Sequence, residues 1–266
     1  MRILCLIKQV PDSLHVPMGS DLTLQREFTA QILNHADESA VELALRLRDA
    51  HGGSVTALTM GPARAEGTLR ELMARGVDRA ALLSSPACAG ADTWATSFAL
   101  CAAVRALGDF DLVLFGRRAA DGETGQVGPM TSALLGLPCI SNVTQARLEE
   151  GHVVADQLTE EGIFTWQASL PAALTLCEWS YPLRLPTLCG LSRARSAGMI
   201  RLTPEGIGLR PDVCGLRGSP TRVIRVHAHT QGVRNPRWIC ASEAAEVVAR
   251  LLNTGPEESH ENACLL

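Results

Sequence analysis

Short apolar runs alternate with helix-length segments through the first half of the chain, and this alternation limits the fold more than any other feature. Residues 3–7, Ile-Leu-Cys-Leu-Ile, form an unbroken apolar run stopped by Pro11 and Asp12, as a strand buried on both faces should be. From Asp37 to Ala50 the period becomes helical: Glu38, Glu42, Arg46 and Asp49 share one face, and Glu42 precedes Arg46 by the four residues that favour an ion pair. Gly52-Gly53 ends that helix and Ser54–Met60 reads as a second strand. The cycle repeats with a helix over Ala63–Arg75 stopped by Gly76, then a short strand at Ala80–Leu83. A helix capped by Asp92 or Thr93 follows and runs to Leu107, closed by Gly108. Next come a buried strand over Asp111–Phe115 and a helix that opens soon after residues 122–128 and ends near Leu135. Strands and helices in this rhythm predict an α/β fold: a doubly wound, mostly parallel sheet with helices on both faces. Right-handed crossovers then carry the loops that follow the strands to one edge of the sheet.

After Leu137-Pro138 the character changes. Val153–Leu158, Phe164–Ala168 and Ala172–Leu176 read as shorter strands divided by acidic turns such as Glu160-Glu161-Gly162. Residues 178–221 are studded with proline and glycine and hold no period, which predicts an extended arm and not a second core. A last helix over Ser242–Leu252 carries Ala244, Val247, Val248 and Leu251 in one stripe, and the acidic tail 253–266 is expected to be mobile. The expected division is a nucleotide-binding α/β domain over 1–190 and a C-terminal arm and helix over 191–266.

Composition removes several function classes. A net charge of −4 and 4% aromatic residues make a poor nucleic-acid binder. Nine scattered cysteines contain no C-x-x-C pair, which favours a reducing, cytoplasmic setting over a disulfide framework. No stretch approaches the apolar length of a membrane span. There is no G-x-S-x-G elbow and no His-x-x-x-His helix, and His227 and His229 read as part of an exposed edge segment. Such a chain is expected to hold a cofactor, with no catalytic residue and no metal ligand of its own.

The informative stretch is Gly116 to Thr131, which leaves a buried strand and opens a helix. Its glycines allow close backbone approach, and the first helical turn offers N–H groups to an anion. Thr124, Gln126 and Thr131 add neutral hydrogen-bonding groups, and Arg117 and Arg118 are placed to offset phosphate charge. The pattern is neither a Walker loop nor a dinucleotide fingerprint, so spacing alone leaves nucleotide binding and a well-capped connecting loop both open. Lys8–Asp12, Thr59–Pro62 and Gly90–Ser97 are loops of the same sheet edge, where ligands of open parallel sheets bind.

Read in order, these segments resemble the β subunit of electron transfer flavoprotein over nearly the whole length. The resemblance rests on Lys8-Gln-Val-Pro-Asp12, Asn34-His-Ala-Asp37 with Ala40, Val41 and Glu42, Thr59-Met-Gly-Pro62, Gly90–Ser97 and Asp121-Gly-Glu-Thr-Gly-Gln-Val-Gly-Pro129. Leu170-Pro-Ala172, Pro186-Thr-Leu-Cys-Gly190 and Gly215–Thr221 are similar to later landmarks of that family. The resemblance implies a heterodimer with an α subunit that holds most of one FAD, and a second nucleotide on β. That nucleotide is AMP in the mitochondrial-type branch. In the electron-bifurcating branch it is FAD, able to accept a hydride from NADH, and the segments 90–97 and 121–129 look more like this second branch. By the same resemblance the nucleotide is held by Leu6, Asn34, Asp37, Met60, Asp92, Thr93 and Thr96, by Asp121, Gly122, Glu123, Thr124, Gly125, Gln126, Val127 and Gly128, and by Met130 and Thr131. Leu188 would dock an acyl-CoA dehydrogenase or similar redox partner, with Arg193 and Arg195 nearby. The chain departs from the family at His35-Ala36, where Pro-Asp is usual, and at Glu123 and Gly125. Two other readings are a universal-stress-type nucleotide sensor and a structural β subunit that holds AMP with no redox role.

Overall fold

The structure is a computed structural model that describes residues 1–12, 29–224 and 239–253. In chain order it contains β1 (Arg2–Leu6), β2 (Gln9–Pro11), β3 (Gln31–Leu33), α1 (His35–His51), β4 (Ser54–Met60), α2 (Glu66–Ala74), β5 (Arg79–Leu83), α3 (Thr93–Leu107), β6 (Leu112–Gly116) and α4 (Val127–Leu135). It continues with β7 (Cys139–Glu149), β8 (His152–Thr159), β9 (Gly162–Ser169), β10 (Ala172–Leu176), α5 (Leu188–Ser196), β11 (Ile200–Leu202), α6 (Gly215–Gly218) and α7 (Ala241–Asn253). Two compact units result, Met1–Ile224 and Arg225–Leu266. The first unit therefore runs past the boundary expected at residue 190. His227, His229, Cys264 and the tail 254–266 lie outside the described residues.

The first unit is built on a nine-stranded sheet in the order β11-β5-β4-β1-β6-β10-β7-β8-β9. From β11 to β7 the neighbours are parallel, and the β7-β8-β9 end is antiparallel. Ile3 lies opposite both Val55 and Leu112, so the predicted two-faced strand sits at the centre. Successive side chains then serve two cores. Ile3, Cys5, Val55, Leu112 and Leu114 pack with Val41, Leu45 and Leu69 on one face, while Leu4, Leu6, Leu58, Val113 and Phe115 pack with Leu100 and Val104 on the other. The doubly wound reading is thus met: α1 and α2 cover one face and α3 the other. Among the described residues no helix is long and apolar enough to cross a membrane.

Residues 178–221 depart from the expected extended arm. Thr187 caps α5 by accepting a hydrogen bond from the Gly190 N–H at 2.9 Å, and α5 lies on α2 so closely that a Cβ on Gly190 would stand 2.0 Å from the Ala74 carbonyl oxygen. β11 then adds a parallel strand beside β5. The approach to α5 is pinned by charge: the buried Glu42 carboxylate accepts from the Arg184 backbone N–H at 3.1 Å and from its Nε at 3.0 Å, and Asp49 takes Arg184 Nη1 at 2.7 Å. Proline hid this order because these elements are held by tertiary contacts more than by local period. The long strand β7 was also unexpected, its Ser141, Asn142, Thr144 and Gln145 masking an apolar pattern.

Candidate nucleotide site at the switch point

After β1 the chain builds outward through β4 and β5, then returns to the opposite side of β1 as β6. The loops after β1 and β6 therefore part at a topological switch point, the usual place for a ligand in an open parallel sheet. The start of α1 lies across that gap and ties it together. Asp37 accepts from the Lys8 N–H at 2.7 Å and from the Gly116 N–H at 3.0 Å, linking the ends of the two central strands. Asn34 donates from Nδ2 to the Arg118 carbonyl at 2.9 Å and accepts at Oδ1 from the Ala120 N–H at 3.2 Å. Lys8 Nζ reaches the buried Asp121 carboxylate at 2.6 Å. Asn34, Asp37 and Asp121 thus work inside the protein, shaping the loop that would meet a ligand.

Burial pushes the Asp37 carboxyl up to about 7, against the lowering effect of the hydrogen bonds from Lys8, Asn34 and Gly116. A raised carboxyl favours the protonated form in the fold. Its contribution to stability is complete below the ordinary value of 3.8 and is lost as pH rises to about 7. Asp37→Asn removes that titration. The stability of the variant minus that of the native chain should therefore grow from about pH 4 to pH 7 and then level off. Denaturant unfolding at several pH values checks this, and a pH-independent difference would contradict it.

The loop itself is turned by Glu123 at φ +48° and Gly125 at φ +63°. A side chain on Gly122 would meet open space, and Glu123, Thr124 and Gln126 are exposed. Thr93 Oγ1 donates to Gln126 Oε1 at 3.2 Å, joining the first turn of α3 to the residue that precedes α4. Two helix N-termini are thereby presented together, a favourable setting for phosphate. Asp92 is committed to capping: Oδ1 accepts from the Ala95 N–H at 2.9 Å, and Oδ2 accepts from Thr221 N–H and Oγ1 at 3.0 and 2.7 Å. Its carboxyl is held below the usual range, burial being outweighed by these donors. The Thr96 N–H donates to the Asp92 carbonyl, and Met60 and Met130 are half-buried near the ends of β4 and α4's first turn.

Three expectations change. Arg117 and Arg118 are not a phosphate clamp, because Glu178 takes both, at 2.6 Å from Arg117 Nε and 3.2 Å from Arg118 Nε. Gly128 faces the sheet. Its added Cβ would point into the sheet, 2.8 Å from Thr175 Cγ2 and 3.3 Å from Phe115 Cγ, so this glycine lets α4 pack down. Leu6 and Thr131 are likewise buried, and among the described residues the Thr131 hydroxyl has no hydrogen-bond partner. The accessible cradle thus narrows to the exposed residues 122–124 and 126 with the half-buried Gly125, Val127, Thr93 and Thr96. Backbone N–H groups and the neutral side chains of Thr93, Thr96, Thr124 and Gln126 line it, together with the exposed Glu123 carboxylate, which lies 3.9 Å from Arg118 Nη1.

Away from the cradle, Leu188 is 87% exposed in the first turn of α5, with Leu185 and Leu191 also exposed beside it in sequence. The outermost strand β9 shows Ile163, Phe164 and Trp166 to solvent. Glu178 does not stand out in the sequence, although an acid two residues past the apolar β10 was the available signal.

The sequence matches the electron transfer flavoprotein domain family over residues 21–195. It is 39% identical over 227 residues to the caffeyl-CoA reductase–Etf complex subunit CarD of Acetobacterium woodii, covering 85% of this chain and 87% of that protein. It is 38% identical to the electron transfer flavoprotein subunit beta of Thermoanaerobacterium thermosaccharolyticum, over 84% of this chain and 86% of that one. Protein FixA of Azorhizobium caulinodans is 36% identical over the whole of this chain and 99% of its own.

Proposed function

This chain belongs to the electron transfer flavoprotein family as a β-type electron-transfer subunit, and from that premise we propose that its switch-point cradle binds FAD. The supporting observation is the pair of helix N-termini at Thr93 and Gln126, joined through their side chains. A dinucleotide carries two phosphates where AMP carries one, and two adjacent N-termini suit that larger charge. Bound FAD would supply a two-electron acceptor for hydride, the step that bifurcation from NADH requires. The chain's own part is to bind and orient: Asp37 and Asn34 set the loop, and residues 122–127 face the phosphates.

The same reading gives the exposed apolar surfaces partners. The bare edge β9 with Phe164 and Trp166 would pack on the α subunit, since a long apolar edge strand left in water invites pairing. Leu188 would insert into an acyl-CoA dehydrogenase or similar flavoenzyme, flanked by Arg193 and Arg195. We place the complex in the cytoplasm, where free thiols such as the exposed Cys189 persist.

Acid extraction of the co-expressed αβ complex, followed by chromatography, tests the cofactor directly. Two FAD per heterodimer are expected. One FAD with one AMP would replace FAD by AMP at this site, and one FAD with no second nucleotide would remove the nucleotide site altogether.

A further inference from the structure

The fold carries the segment Gly215–Thr221 back to the start of α3, where Thr221 meets Asp92 from 129 residues away in the chain. The segment is docked through its backbone: the Leu216 N–H donates to the Ala89 carbonyl at 3.0 Å, and a Cβ on Gly215 would stand 2.2 Å from the Ala87 carbonyl oxygen. The buried Ser219 Oγ accepts from the Asp92 N–H at 2.9 Å and donates to the Gly215 carbonyl at 2.7 Å. Thr221 then gives both its N–H and its hydroxyl to Asp92 Oδ2, the carboxylate oxygen that the cap on Ala95 leaves over. On its other side the same turn of α3 adjoins the opening of α4. Thr93 Oγ1 reaches Gln126, and Ser97 Oγ donates to the Thr93 carbonyl at 2.7 Å with the Val127 carbonyl 3.4 Å away.

We propose that Thr221 is a positioning residue for the nucleotide phosphate, acting through Asp92. The proposal rests on the nucleotide reading given above and holds for FAD and AMP alike, since each carries a phosphate. A carboxylate at a helix N-terminus competes with an anion for the same N–H groups and the same positive end of the dipole. A phosphate can share the first turn of α3 only if that carboxylate is turned aside and its charge answered elsewhere. Thr221 does both, because its two donors engage Oδ2 while Oδ1 caps Ala95. Without the hydroxyl, Oδ2 keeps one of these two donors and is free to turn toward the N–H groups of the first turn.

Calorimetric titration of the full-length chain with AMP and with adenosine tests this, because adenosine keeps the base and sugar and lacks the phosphate. Thr221→Val keeps the branched shape and the backbone N–H and removes the hydroxyl bond. It should weaken AMP about fivefold, the size of one net hydrogen bond, and leave adenosine unchanged. Thr221→Ser should restore most of the AMP affinity. In an Asp92→Ala background Thr221→Val should have no further effect, as expected of a residue that acts through another. Equal AMP affinity in Thr221→Val and the native chain would overturn the positioning role while leaving the nucleotide site intact. A parallel loss of both ligands would overturn it as well, marking Thr221 as a purely structural residue, and so would an undiminished loss in the Asp92→Ala background. If the native chain binds neither ligand, the nucleotide reading itself fails and the proposal falls with it.

Discussion

Gly116→Ala is expected to collapse the switch point, lowering the melting temperature by roughly 10 °C and stripping the αβ complex of its β-site nucleotide. Gly116 ends β6 and faces the start of α1. A Cβ there would lie 2.2 Å from Asp37 Oδ1 and 2.8 Å from both Ala36 Cβ and the Asp37 backbone nitrogen. The Asp37 carboxylate can swing aside only by giving up its bonds, and Ala36 Cβ and the Asp37 nitrogen are fixed to the backbone, so the strand or the helix must move as well. Overpacking of this kind costs about 1–3 kcal/mol. The displaced carboxylate also loses its bond to the Gly116 N–H, a further penalty of about 1–3 kcal/mol for a buried group. Together these give about 3 kcal/mol, and a domain of this size loses about 2–4 °C per kcal/mol. The loop 117–126 hangs from the same residues through Asn34, so its shape should go with the stability. Thermal unfolding and nucleotide extraction of one preparation check both parts. A melting point within about 2 °C of the native one, with full nucleotide content, would show that the clamp does not govern the loop.

This result also explains what could be read in the sequence. The central strands were legible because burial on both faces forces an unbroken apolar run, as in Ile3 to Ile7 and in β6. The helix α3 was legible at both ends: Asp92, one of the two expected caps, holds its start through its side chain, and Gly108 closes it at φ +106°. The segments singled out by resemblance do gather at the switch point, but several of their side chains face inward where the sequence suggests that they face a ligand. Nothing local to Asp37 says that its partners are Lys8 and Gly116, which lie 29 and 79 residues away. Arg117 and Arg118 looked available to phosphate for the same reason, their carboxylate being supplied by Glu178 from another strand's end. Gly128 shows the converse case. A glycine in a phosphate-type loop suggests room for a ligand, whereas here the missing side chain makes room for Thr175 and Phe115.

Gly190→Ala should separate the two proposed sites, leaving nucleotide content unchanged while slowing electron transfer to the redox partner at least tenfold. On propensity alone the substitution favours the fold, since alanine is about 1 kcal/mol better than glycine inside a helix. Sterics oppose it more strongly. The new Cβ would sit 2.0 Å from the Ala74 carbonyl oxygen and 3.0 Å from its carbon, and a backbone group at the end of α2 cannot swing aside as a side chain can. The helix α5 must therefore lift from α2, straining the hydrogen bond from the Gly190 N–H to Thr187 Oγ1 and the bond at 2.7 Å from Arg70 Nη1 to the Ala194 carbonyl. Leu188 opens that helix, so its position moves with it, while Asp37, Asn34 and the cradle lie on other elements and keep their contacts. Leu188→Ala is the matched control, removing the anchor without moving the helix. Both variants should raise the KM for the partner flavoenzyme and retain the native nucleotide complement after extraction. If Leu188→Ala slows transfer and Gly190→Ala does not, docking depends on the leucine alone and tolerates a displaced helix. If neither has an effect, the exposed apolar residues of α5 do not serve the redox partner.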